Sequence, residues 1–174
     1  MMLRKRFIFG LISLHLMMRC IGGNESCKAS FSGTWACAPS WSQWGGKCYK
    51  AIMEPLTWSE AKDECIKMGG VFVAPQSQEE SDFLMSLMSP QSKFWINCND
   101  LELEGTWKCQ DGTDEVEYRN WDNYAPYNYG GYEDCAAVWY GGKWNDLYCD
   151  QSRRAICKAQ MSLHDNCMRF MRPK

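Results

Sequence analysis

The sequence predicts an α+β fold, and three observations carry that expectation. Two helix-start signals lie in the first half of the chain. Short β-prone segments bounded by Gly, Pro, Asn and Asp fill the second half. The 174 residues include 11 cysteines, and 14% of them are aromatic. Helices first and strands later place the chain in the α+β class. Cysteine at this density is foreign to a reducing cytosol and points to disulfide staples in an oxidising compartment. The aromatic side chains supply a hydrophobic core beside those staples.

Residues 1–22 read as a secretory signal peptide. Arg4, Lys5 and Arg6 form a basic start, and Phe7 to Met18 is an apolar run of twelve residues followed by small ones. That run is short of the ~20 apolar residues a spanning helix needs. A buried helix of a cytosolic protein is the alternative, and the cysteine content argues against it. Cleavage removes four basic residues and Cys20. The mature chain then carries a net charge of −6 and an even ten cysteines. Asn24-Glu25-Ser26 is a glycosylation sequon at the new N-terminus. The protein is expected outside the cell, as a secreted glycoprotein.

Residues 23–36 form a polar lead-in, and Cys37 to Cys48 a tight, Trp-rich loop. Tyr49 to Ile52 is a strand. Thr57-Trp58-Ser59-Glu60 is a capping box, in which the Thr hydroxyl and the Glu carboxylate satisfy each other's orphan N–H groups. Trp58, Ala61, Cys65 and Met68 then recur on one helical face, and Gly69-Gly70 ends the helix. Ser77 to Glu80 is a second box, with Phe83, Leu84, Leu87 and Met88 as the apolar stripe and Pro90 as the stop. Both stripes face the core. Phe94–Asn97, Trp107–Lys108, Cys135–Tyr140, Lys143–Asp146 and Ala155–Lys158 read as short strands, with Gly141-Gly142 as a hairpin turn. Residues 110–134 have no period and are rich in Asp, Asn, Tyr and Gly; a loop of that length inside a domain is usually functional. Residues 159–174 form a polar tail.

Composition excludes several functions. Only two histidines, His15 and His164, are present, which disfavours His-based zinc sites and Ser-His or Cys-His catalysis. No C-x-x-C occurs, and no Lys/Arg run marks a nucleic-acid surface. Nothing marks a pair of carboxylates set across a cleft for glycoside hydrolysis, so no enzyme is predicted. Ten acidic residues do gather between Asn97 and Asp134, opposed only by Lys108 and Arg119. Crowded carboxylates on loops suit a hard cation such as Ca²⁺. A solvated acidic surface is the plainer reading of the same count.

From Cys37 to Lys158 the chain resembles a C-type lectin-like domain of the long form. The markers are Cys37-x10-Cys48-Tyr49, Trp95-Ile96-x-x-Asn99-Asp100, Gly105-Thr106-Trp107 with Asp111-Gly112, Glu133-Asp134-Cys135, Trp144-Asn145-Asp146, Cys149 and Cys157. The resemblance implies bridges Cys37–Cys48, Cys65–Cys157 and Cys135–Cys149. Cys98 and Cys109, on neighbouring strands, are then expected to pair. Cys27 and Cys167 remain, either bonded to each other or available for a disulfide-linked dimer.

The same resemblance implies a sugar site built on Ca²⁺, with Glu133, Asn145 and Asp146 at three primary ligand positions. Two further positions flank Pro126, and here they are Ala125 and Tyr127. Alanine has no side-chain oxygen, and a tyrosine hydroxyl is neutral at pH 7. Asp100, Glu104, Asn128 and Asp134 match an auxiliary calcium site. The resemblance, with these departures from it, implies two functions. One is a secreted lectin that binds a glycan or glycoprotein with help from Ca²⁺ at an incomplete primary site, with Tyr127 as the aromatic contact. The other is a calcium-independent module for a protein or surface ligand, holding only a structural ion.

Overall fold

The protein is described by a computed structural model over residues 34–89 and 92–164. The leader, Asn24, Cys27, Pro90 and Cys167 lie outside the described residues. Among the described residues there are eleven strands, two α-helices and four disulfides.

A small ribbon pairs β1 (Thr34–Ala36) with β11 (Ser162–His164), Thr34 facing His164. Residues 162–164 were expected in the tail; cross-strand bonds to the lead-in order them instead. The remaining strands are β2 (Ser42–Trp44), β3 (Lys47–Leu56), β4 (Val71–Phe72), β5 (Phe94–Asn99), β6 (Lys108–Asp111), β7 (Asp114–Glu115), β8 (Cys135–Val138), β9 (Trp144–Leu147) and β10 (Arg153–Gln160). Their path runs β2-β3-β10-β5-β6-β7, with β4 on β10 and the β8–β9 hairpin on β5. Among the described strands, only β10 and β5 run parallel. β2 lies in what the sequence suggested was a simple loop, because Gly45-Gly46 turns Ser42–Trp44 back onto β3.

α1 (Trp58–Lys67) begins at Thr57 with the full capping box, Glu60 Oε2 accepting from the Thr57 amide at 2.9 Å. α2 (Gln78–Ser86) is capped by Ser77, whose hydroxyl accepts from the Glu80 amide at 3.2 Å. The second box is incomplete. The Glu80 carboxylate turns inward to Tyr49 and Lys158 and leaves the Ser77 amide alone.

Alternation along the central strands assigns one helix to each side of the sheet. Phe94 and Ile96 of β5 and Ile156 of β10 pack with Leu84 of α2. Trp95 of β5, with Ala155 and Cys157 of β10, packs with Trp58, Ala61 and Cys65 of α1. Met68, expected on that buried face, is 39% exposed, because the helix has ended at Lys67 and Met68 is its cap.

The bridges tie this layering together. Cys65–Cys157 joins α1 to β10, Cys98–Cys109 joins directly opposed residues of β5 and β6, and Cys37–Cys48 closes the β2–β3 hairpin. Cys135–Cys149 closes the end of the β8–β9 hairpin. Chain-entropy arithmetic gives about 3 kcal/mol for each short loop and somewhat more for the long one.

Candidate functional site

The long loop between Trp121 and Glu133 is held first at its aromatic root. Trp121 packs edge-on against Trp107 at 4.5 Å and Trp144 at 5.8 Å, and the Asp122 amide donates to the Trp144 carbonyl at 2.9 Å. These indoles pack against one another and anchor the root of the loop. The loop then turns through a cis Ala125–Pro126 peptide and Asn128 in the left-handed region, φ 45°.

Asp146 grips the far side of that turn. It projects from β9 and is wholly buried. Its Oδ1 accepts from the Tyr127 amide at 2.8 Å, and its Oδ2 from the Asn128 amide. Glu133, 7% exposed, accepts from the Tyr129 amide at 2.9 Å through Oε2, and its own amide donates to Asn128 Oδ1 at 3.3 Å. Asp146, Asn128 and Glu133 are therefore one bonded group that fixes the backbone of residues 127–129. Above it the rings stand in water: Tyr124 is 82% exposed, Tyr129 and Tyr132 70%, and Tyr127 45%.

Two features show an electrostatic demand left unmet by the chain. Neither Glu133 nor Asp146 forms an ion pair among the described residues. Burial, with Asp146 adding to it, lifts the Glu133 carboxyl above the usual range. Asn145 Oδ1 is buried and has no hydrogen-bond donor. Asn145 shares no hydrogen bond with the Asp146 group, so the structure joins two of the three primary candidates and leaves the third beside them on β9.

The auxiliary set sits where β5 ends. Asp100 is 4% exposed; its Oδ2 accepts from the Gly105 amide at 2.8 Å, and its Oδ1 is a second buried orphan. Burial pushes Asp100 and Asp134 above the ordinary carboxylate range, and Glu104 repels both. The Asp100 amide donates to the Asp134 carbonyl at 3.1 Å. Asn128, expected with this set, bonds to Asp146 and Glu133 instead.

These donors suit calcium in kind, being hard oxygens without basic partners, and fall short of its usual six to eight in number. No three acidic, histidine or cysteine side chains among the described residues converge as a metal-binding group. Both Asp146 oxygens already hold loop amides, and Ala125 adds nothing.

The acidic run read from the sequence is not one site. Glu102 pairs with Lys108, and Asp111 lies at the edge of a network with buried Lys158, Glu80 and Tyr49 and exposed Gln76. Sequence reasoning missed that network because its members are spread from residue 49 to 158. The one signal was a lysine, Lys158, at a strand position otherwise flanked by apolar residues. Burial and Glu80 hold the Tyr49 phenol far above its ordinary value, so it stays a donor.

Comparison with known proteins places this architecture. Residues 54–159 match the family model for the lectin C-type domain. Mouse asialoglycoprotein receptor 2 is 37% identical over 147 residues, 79% of this chain and 48% of the receptor. Human C-type mannose receptor 2 is 35% identical over 125 residues, 70% of this chain and 8% of that protein. The chain thus spans about half, or far less, of the length of these relatives. Among solved structures, the mouse scavenger receptor C-type lectin carbohydrate-recognition domain superposes with a TM-score of 0.68 at 34% identity, covering 73% of this chain and all of that domain. A calcium-independent type II antifreeze protein superposes with a TM-score of 0.67 at 25% identity, covering 74% of this chain and 98% of that one.

Proposed function

The chain belongs to the C-type lectin domain family, and from that membership we propose that it is an exported, non-enzymatic module that recognises glycans at the face of its long loop. One observation carries the reading. Two buried carboxylates with no basic partner among the described residues, Glu133 and Asp146, clamp the backbone of residues 127–129 and hold exposed tyrosines over a polar floor. A preformed floor of this kind lowers the ordering cost of binding. Tyrosine rings offer flat apolar faces to the C–H side of a sugar ring, and their hydroxyls donate and accept at the rim. Tyr127, nearest to Asp146, is the first contact. Export rests on the four disulfides and on the apolar leader read from the sequence.

Glu133, Asn145 and Asp146 would hold a calcium ion, whose chemistry is to coordinate vicinal sugar hydroxyls. Asp100, Glu104 and Asp134 would hold a structural one. With Ala125 and Tyr127 in place of two oxygen donors, the primary ion would bind weakly, toward the millimolar end of extracellular calcium sites. Monovalent affinity for the glycan would then be about 4 kcal/mol.

A second reading has its own observation. Both oxygens of Asp146 are already committed to loop amides, so the loop is shaped without a metal. A calcium-independent module binding a protein or surface through the exposed tyrosines fits that geometry, since tyrosine is favoured at interfaces. A glycan array on the secreted chain, with calcium and then with chelator, separates the two. Binding abolished by chelator supports the first reading. An empty array, with calcium raising the melting temperature, supports a structural ion and a non-glycan ligand.

A further inference from the structure

Cations gather at the end of β8 opposite to Glu133. Lys93 precedes β5, Arg153 opens β10 and Trp139 follows β8. Phe94 faces Arg154 on one side and Val138 on the other, and this register sets Lys93, Arg153 and Trp139 in one row across the sheet. Trp95, Ala155 and Ala137, the next row on the same face, pack with α1. We propose that Lys93 and Arg153 form a binding site for a sulfate or phosphate ester, separate from the long loop and independent of calcium.

Lys93 is held in place and left without an oxygen partner. Its ammonium stands 2.9 Å from the centroid of the Trp139 ring and 5.4 Å from that of Tyr140. It has no hydrogen bond or ion pair among the described residues. Burial, and after it the Arg153 charge, pulls that ammonium below its ordinary range. Arg153 uses two of its five N–H groups, on the Ser152 carbonyl at 2.8 Å and on Gln151 Oε1 at 2.6 Å, and its Nε is a buried orphan. Arg154, next along β10, bonds Ser92 Oγ at 2.5 Å and the Met53 carbonyl at 3.3 Å. The carboxylates of the flanking segments, Glu54 and Asp150, form no ion pair with any of these three cations.

Two like charges thus sit side by side on neighbouring strands, about 5 Å apart at the backbone, in a chain whose net charge is −2. An oxyanion between them turns their repulsion into two attractions. A sulfate or phosphate ester presents three non-bridging oxygens, enough to accept from the ammonium and the guanidinium at once. A carboxylate presents two, which one edge of the guanidinium already saturates. An amine or a metal ion meets only its own sign of charge. The Trp139 ring is covered by Lys93 and by core packing, so charge rather than stacking selects the ligand. Tyr140, 54% exposed and edge-on to Trp139, adds a hydroxyl donor at the rim.

The test is an amide-resolved NMR titration of the full chain, in chelator at low ionic strength, with glucose 6-sulfate, glucose 6-phosphate, glucuronate and glucose. Chelator keeps calcium-dependent binding at the long loop out of the readout, so the two sites succeed or fail separately. Saturable shifts at Lys93, Trp139, Tyr140 and Arg153 with either ester, weakened by added salt and absent with glucose, support the site. Tighter binding of one ester identifies the class of ligand. Lys93→Gln and Arg153→Gln should each weaken binding by roughly fivefold or more, while the Ala61 and Leu84 amides keep their shifts and report an intact fold. Arg153→Lys, which keeps the charge, should lose less than Arg153→Gln. No shifts with either ester, equal affinity for glucose or glucuronate, or unchanged affinity in either neutral variant would overturn the proposal.

Discussion

Replacing Asp146 by Asn tests whether the buried carboxylate shapes the recognition loop. The two residues have the same size, so the perturbation is electrostatic. Asp146 accepts from the Tyr127 and Asn128 amides with separate oxygens. Each such charge-assisted bond is worth about 1.5–3 kcal/mol. Asn keeps one acceptor and turns an NH₂ toward the other backbone N–H, leaving that donor buried and unpaired. The expected loss is roughly 2–4 kcal/mol of local stability, since an unsatisfied buried donor costs about 1–3 kcal/mol and part of the retained bond's charge assistance also goes. Hydrogen exchange reads this directly. The Tyr127 and Asn128 amides should exchange on the order of 30- to 1,000-fold faster, at a factor of ten per 1.4 kcal/mol. Ala136 and Ala137, which pair in the β8–β9 hairpin, should keep their protection, because the opening is local. Unchanged exchange at both loop amides would refute the assignment of Asp146 as the loop's anchor.

Other outcomes follow from the same contacts. Lys158→Met removes the one cation that pairs with Glu80 and Asp111 among the described residues and should cost about 3–5 kcal/mol, a fall in melting temperature on the order of 10 °C by calorimetry. In calcium-free buffer the melting temperature should rise as pH falls from neutrality toward 5. Burial raises the folded-state carboxyls of Asp100, Glu133 and Asp134, so in the window above the ordinary carboxylate range the native state takes up protons that the unfolded chain does not. The penalty of those buried charges is present above that window and relieved below it; Asp100→Asn should flatten the curve, and a melting temperature that falls on acidification would contradict the assignment. Ala125→Glu with Tyr127→Asn restores two oxygen donors and should tighten calcium binding by about tenfold in calorimetric titration. No gain would mean that the loop apex points those side chains elsewhere.

Much of the fold was legible because its signals are local. Thr57 and Glu60 are three residues apart, so the first capping box could be read and is present in full. The second box failed at Glu80 because a partner 31 residues away, Tyr49, and a lysine on β10 compete for the same carboxylate. Tertiary contacts of that kind leave no local mark. Five strands of the second half were placed within a few residues by their apolar runs, whereas β7, two acidic residues inside the stretch read as a loop, and β11, ordered by pairing with β1, were hidden. At the loop, the family resemblance is what singled out Glu133 and Asp146 in the sequence. Only the folded loop reveals that Asp146 serves the backbone and that Asn128 braces Glu133. The acidic run looked continuous in sequence, and the β6–β7 hairpin carries part of it to the Lys158 network.

The most direct test of glycan recognition at the long loop is chemical-shift mapping of the full chain during titration with an array-positive glycan in calcium-containing buffer. Shifts confined to residues 124–133 and to Asn145 and Asp146 are the predicted result. Shifts that map to another face, or none at saturating glycan, would contradict it.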